Sequence, residues 1–110
     1  LFFGAGPLEA AVTNHALGFE APPERSRMVG YGDLGLVADT LEAAVASGPF
    51  LCGAQFTAAD VYVGAQVGWA LHFGTIRDRP ALAGYVSRLR ARPAWVRATA
   101  LDDAAMPASL

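Results

Sequence analysis

The sequence predicts an all-α fold of about five helices, and three observations carry that prediction. The chain is 54% apolar and only 16% charged, alanine and leucine dominate it, and strand-like alternation is scarce. A complete helix-start signal stands at its middle, where Thr57 and Asp60 are spaced as a capping box ahead of a long uncharged run. Glycine and proline punctuation at Gly18, Pro22-Pro23, Gly48-Pro49 and Pro93 cuts the remainder into helix-length pieces.

The first piece, Leu1 to about Leu17, repeats apolar residues at Leu1, Ala5, Leu8, Val12 and Ala16, near helical spacing. Pro7 removes an amide donor and should kink it, and Gly18 is placed to stop it. A second helix is expected from near Glu24 to Gly48-Pro49. Its stripe is Leu34, Val37, Ala38, Leu41, Ala44 and Val45, with Asp39 and Glu42 off it. The third helix runs from Ala58 to about Phe73. Its apolar residues point in every direction, which predicts a core element, with Phe56 and Val61 spaced for a hydrophobic staple. Gly64 and Gly68 allow close approach of a neighbouring backbone, within the domain or between copies. Asp78 is expected to cap a fourth helix with Pro80 in its first turn. Its buried stripe is Leu82, Tyr85, Val86 and Leu89, and Arg88, Arg90 and Arg92 form a solvated face. Pro93 restarts a short helix bearing Trp95 and Val96, so residues 1–101 form the domain and 102–110 a flexible tail.

Charge and cysteine content narrow the function classes. The net charge of −2 and a pI near 5.5 offer no electrostatic footprint for nucleic acid, and all eight basic residues are arginine. The lone Cys52 allows no intrachain disulfide and fits a reducing, cytoplasmic setting; a buried inert thiol is expected over a reactive one. The uncharged stretch from Val61 to Ile76 is shorter than the roughly 20 residues that span a bilayer, so no membrane association is expected. The chain opens at Leu1 inside an apolar run, and further residues are expected upstream.

No catalytic constellation stands out. His15 reads as a surface residue and His72 as a satisfied histidine on an apolar helix. No Cys/His cluster has metal-ligand spacing, so no metal is expected. Gly4-Ala5-Gly6 lacks the rest of a dinucleotide fingerprint. Glu9 is the first charge in an otherwise apolar helix. It is either a solvent-facing glutamate favoured by the helix dipole or part of a site.

Several strings carry a family resemblance. The run from Gly48 through Val61 (Gly-Pro-Phe-Leu-x-Gly-x-x-Phe-Thr-x-Ala-Asp-Val) resembles the start of the central helix in the C-terminal domain of glutathione transferases. Residues 1–12 resemble the first helix of that domain in bacterial members, entered partway through, and Arg27 to Gly32 the start of the next long helix. Asp60 to Thr75 resembles the central helix with its exit, and Tyr85 to Ala94 the helix pair that follows. The resemblance implies an orthogonal helical bundle of the transferase C-terminal type. It also implies an intact protein whose thioredoxin-like N-terminal domain binds glutathione and supplies the residue stabilising its thiolate. None of that machinery is in these residues, so no catalytic residue is expected here and the chain alone should be inactive. By resemblance the domain supplies a pocket for a small apolar electrophile and contacts for a homodimer, with Phe3, Gly6, Pro7 and Glu9 as the pocket residues. Phe3 is equally suited to core packing. The capping box of Thr57 and Asp60 serves folding. The same helical domain also occurs as a protein-interaction module, and a non-catalytic hydrophobic-ligand binder is a further alternative.

Overall fold

The computed structural model describes residues 1–108; Ser109 and Leu110, the end of the expected tail, lie outside the described residues. The fold is all-α. Its helices are α1 (Glu9–Ala16), α2 (Leu34–Ala46), α3 (Ala58–His72), α4 (Pro80–Arg90) and α5 (Pro93–Ala105). A π-helical turn, Gly4–Leu8, leads into α1, and a 3-10 segment, Pro23–Val29, precedes α2.

Pro7 explains the wide first turn. Proline has no amide to continue the α-helical ladder, so the Glu9 amide reaches back to the Gly4 carbonyl, five residues away. Gly4 makes the turn possible as packing too, since a Cβ there would lie 3.0 Å from Tyr62 and Val63 side-chain atoms of α3. Gly18 ends α1 in a left-handed conformation (φ 78°), with the Gly18 amide on the His15 carbonyl and the Phe19 amide on Asn14.

The second helix starts later than the sequence suggests. Gly30 adopts φ 75° and Gly32 φ 78°, which separates the 3-10 segment from α2. Asp33 then caps α2, its carboxylate accepting from the Leu36 amide at 2.8 Å. Val37, Ala38, Leu41 and Val45 are buried as the stripe predicts, while Ala44 faces outward. At α4 the cap is also displaced. Pro80 fixes the first helical residue and keeps residue 79 out of the helical region (φ −122°, ψ 80°), so Arg79 takes the cap position and Asp78 sits in the left-handed region (φ 57°). Arg79 instead ion-pairs with Asp39 and Glu42, tying the start of α4 to α2.

α4 is the packing hub, in contact with α2, α3 and α5. Its stripe of Leu82, Tyr85, Val86 and Leu89 is fully inside. Burying a side chain of that size contributes about 1.5–3 kcal/mol each. α3 approaches α4 through Gly64, where a Cβ would fall 2.2 Å from Leu89 Cδ1. The pair of glycines therefore serves packing within the domain at Gly64.

α3 itself is not wrapped on all sides. Asp60, Val63, Gly64, Val67, Gly68 and Ala70 are buried, but Val61 (60% exposed), Trp69 (61%) and Phe73 (68%) face solvent, together with Tyr62. The lack of charge on the helix thus marks an apolar outer face as well as a core face. The Phe56 ring meets Phe50 edge-on at 5.8 Å, and the Arg92 guanidinium lies 3.3 Å above it. Arg88 Nε donates to the Pro49 carbonyl at 3.0 Å, so two of the three arginines expected on a solvated face hold the α2–α3 loop. In that loop Phe50 and Gly53 exchange backbone hydrogen bonds at 3.1 Å around Leu51-Cys52. The tip of this turn carries Cys52 into solvent, which corrects the expectation of a buried thiol.

α5 runs four residues past the expected start of the tail, to Ala105, and buries none of its residues. The radius of gyration, 15.3 Å, exceeds the ~13 Å of a compact domain this long.

Candidate functional site

The buried Asp60 anchors the site region by fixing where α3 begins. Thr57 and Asp60 form a capping box, with the Thr57 amide donating to Asp60 Oδ2 at 2.9 Å. The other carboxylate oxygen accepts from the Leu51 amide at 2.9 Å and from the Tyr85 hydroxyl at 2.8 Å. One side chain, 1% exposed, therefore joins the loop, α3 and α4. Burial, and then the hydrogen bond to the Asp60 carboxylate, push the Tyr85 hydroxyl well above the usual phenol range.

One turn and a half further along α3, Gln66 and Trp69 share a face and meet α1. With Leu8, Glu9, Val12 and Thr13 they line a shallow pocket of about 150 Å³. Leu8 and Val12 supply apolar walls, Glu9 a carboxylate and Trp69 an aromatic edge. Gln66 Oε1 is buried and has no hydrogen-bond partner among the described residues. A buried acceptor without a donor costs about 1–3 kcal/mol. A residue with an unsatisfied amide oxygen therefore lines a pocket with apolar walls.

Of the four pocket residues named from the sequence, Glu9 lines this cavity. Phe3 packs against the core, Pro7 is half-buried in the π-helical turn, and Gly6 is exposed with open space above it. Gln66 and Trp69 were missed, although a signal existed. Gln66 is the one amide in the run from Val61 to Leu71, and three residues separate it from Trp69, so helical spacing places both on one face.

Two other regions carry titratable groups. His15 is exposed and its Nδ1 lies 3.9 Å from the Glu20 carboxylate. Both line a separate cavity with Tyr31 and Asp33, where Asp33 is already committed to capping α2. His72 is exposed at the end of α3 and packs edge-on against Trp69 and Phe73, which stack on each other at 5.3 Å. Among the described residues no group of three or more histidine, cysteine or acidic side chains is placed to hold a metal ion. No helix among them is long and apolar enough to cross a membrane.

Residues 33–98 match the family model described as glutathione S-transferase, C-terminal domain, and the chain belongs to that family. The matched span covers α2 through the first turns of α5, and it leaves the π-helical turn and α1, with Phe3, Gly6, Pro7 and Glu9, ahead of it. No curated protein and no solved structure matches the chain.

Proposed function

We propose that this chain is the co-substrate domain of a glutathione transferase, in which the pocket between α1 and α3 receives a small apolar electrophile. The observation that carries the reading is the orphaned Gln66 carbonyl in a pocket with apolar walls, within a domain of this family. Glu9 and Gln66 orient polar groups of the ligand and Trp69 covers its flat face. Phe3, Gly6 and Pro7 extend the wall along the entering turn. Glutathione binds to a thioredoxin-like domain of the intact protein, which also supplies the residue that stabilises the thiolate. In the conjugation the thiol proton leaves to solvent. The sulfur forms a bond to the electrophilic carbon, and the leaving group departs with its electron pair. Glutathione-dependent reduction of a disulfide or peroxide uses the same thiolate. The intact protein works as a cytoplasmic homodimer.

The test is glutathione conjugation of chlorodinitrobenzene by the natural, intact polypeptide, with Gln66→Leu as the variant. The KM for the electrophile should rise about three- to tenfold, as expected for one lost neutral hydrogen bond, while the KM for glutathione stays unchanged. Absence of glutathione-dependent turnover in the intact polypeptide, or an unchanged electrophile KM, refutes the reading. A second reading, a non-catalytic protein-interaction module, is favoured by the apolar outer face of α3 around Val61 and Phe73. An intact mass equal to that of these 110 residues would make it the leading one, because no glutathione site would then exist in the polypeptide.

A further inference from the structure

On the other side of Trp69 lies a groove where α3, α4 and α5 meet. We propose that it is a binding site for a small aromatic carboxylate, independent of the transferase reading. Two adjoining cavities form it, of about 230 Å³ and 310 Å³, and they share Gly68, His72 and Arg90. Trp69 and Trp95 wall the first, with Ala65 beside them. Leu71, Val86 and Ser87 wall the second. Ligand pockets occupy roughly 300–1,000 Å³, so a body of one or two fused rings suits the space.

The charge at the groove is one-sided. Neither cavity is lined by an aspartate or glutamate, although the chain as a whole carries a net charge of −2. Arg90 has no carboxylate partner and no side-chain hydrogen bond among the described residues, unlike Arg79, Arg77 and Arg88. Its Nη2 lies 3.6 Å from the point where a Gly68 Cβ would stand, so the guanidinium rests over the bare backbone of α3. The absent side chain at Gly68 is what opens the floor.

Other groups favour an anion at the same spot. α5 begins at Pro93 without a side-chain cap, and Trp95 in its first turn lines the cavity, so the positive end of the α5 dipole lies on this side of the domain. Two of the carbonyls near the end of α4 are already engaged, Ser87 by the Ala91 amide and Leu89 by the Arg92 amide. Ser87 contributes a hydroxyl and His72 an imidazole. Glu9 lines the other pocket that Trp69 shares, not this groove. A planar carboxylate fits the guanidinium fork, and indole faces fit an aromatic ring.

The experiment is a titration of the 110-residue chain with β-naphthoate and, separately, with the neutral β-naphthamide, followed through the two indole N–H resonances in NMR. The chain has only two tryptophans, and both line the groove. The acid should shift both resonances saturably and bind about tenfold or more tighter than the amide, the gap expected from charge-assisted hydrogen bonds. Arg90→Gln should weaken the acid by roughly ten- to a hundredfold and leave the amide unchanged. Trp69→Leu, at a position already exposed to solvent, should weaken both. Equal affinity for acid and amide in the unmutated chain overturns the proposal, as does the absence of saturable shifts. Undiminished binding of the acid by Arg90→Gln overturns it as well. The acid–amide comparison decides the matter without any variant.

Discussion

Replacing Asp60 with alanine should be among the most damaging single changes in this chain. The removed carboxylate serves four donors: the Leu51 amide, the Thr57 amide, the Tyr85 hydroxyl and, at 3.5 Å, the Thr57 hydroxyl. Tyr85 is fully buried, so its hydroxyl keeps no route to water, and an orphaned donor of that kind costs about 1–3 kcal/mol. Loss of the capping box adds about 1 kcal/mol. The Leu51 amide is half-buried and recovers part of its loss through water. The expected total is about 3–4 kcal/mol, against about 5–15 kcal/mol for the whole domain. At roughly 4 °C or more per kcal/mol for a domain of this size, the melting temperature should fall by about 12 °C or more. The second arm of the experiment is Tyr85→Phe. In the unmutated chain it removes a hydrogen bond to a carboxylate and should cost about 1.5–3 kcal/mol. In the Asp60→Ala background it removes an orphan instead, and should be neutral or slightly stabilising. Urea unfolding of the four proteins closes the cycle. If Tyr85→Phe costs the same in both backgrounds, the two side chains are not coupled and the reasoning fails.

Further outcomes follow from the same geometry. Gly64→Ala should destabilise by about 1–3 kcal/mol because the new methyl meets Leu89 at 2.2 Å, whereas Gly68→Ala finds neighbours only at 3.6 Å and 3.8 Å and should gain about 0.5–1 kcal/mol of helix propensity. Thermal melts of the two variants should move in opposite directions. Tyr85 has a folded pKa raised above its ordinary value of about 10, so its contribution to stability is complete below that pH and is lost as pH rises beyond it. Urea midpoints should therefore fall above about pH 10 in the unmutated chain and fall less in Tyr85→Phe. Gly18→Ala should cost about 1–2 kcal/mol through its left-handed φ of 78°, visible as earlier loss of amide protection in α1. The 110-residue chain alone should add glutathione to chlorodinitrobenzene no faster than the uncatalysed reaction, as a rate assay will show.

Much of the architecture was legible because it is written in local signals. The start of α3, the stop at Gly18 and the buried stripe of α4 each depend on residues within a few positions of one another. The misread boundaries involve competing local signals. Near Gly30 and Gly32 the chain uses two left-handed glycines, so the new cap at Asp33 overrides helical periodicity upstream. At Asp78 the cap chemistry was sound, but Pro80 shifted the cap by one residue. Long-range partners left almost no trace in sequence. Nothing local says that Arg92 stacks over Phe56 or that Tyr85 reaches Asp60, 25 positions away.

The candidate sites were harder to read, and α3 shows the reason. An uncharged helix has two physical explanations, burial within its own domain or an apolar surface, and hydropathy alone does not separate them. The separation comes from the neighbours. Gly64 draws α4 against one side of α3, while the π-helical turn takes another. What remains between them is the face bearing Trp69, with the Glu9–Gln66 pocket on one flank and the Arg90 groove on the other. The two flanks differ in charge and in available partners: a carboxylate with an orphaned acceptor on the first, and on the second a guanidinium with no partner among the described residues. Opposite chemistry on either side of a single indole predicts that Trp69→Leu should disturb ligands at both flanks. Arg90→Gln should disturb only the second, and Gln66→Leu only the first.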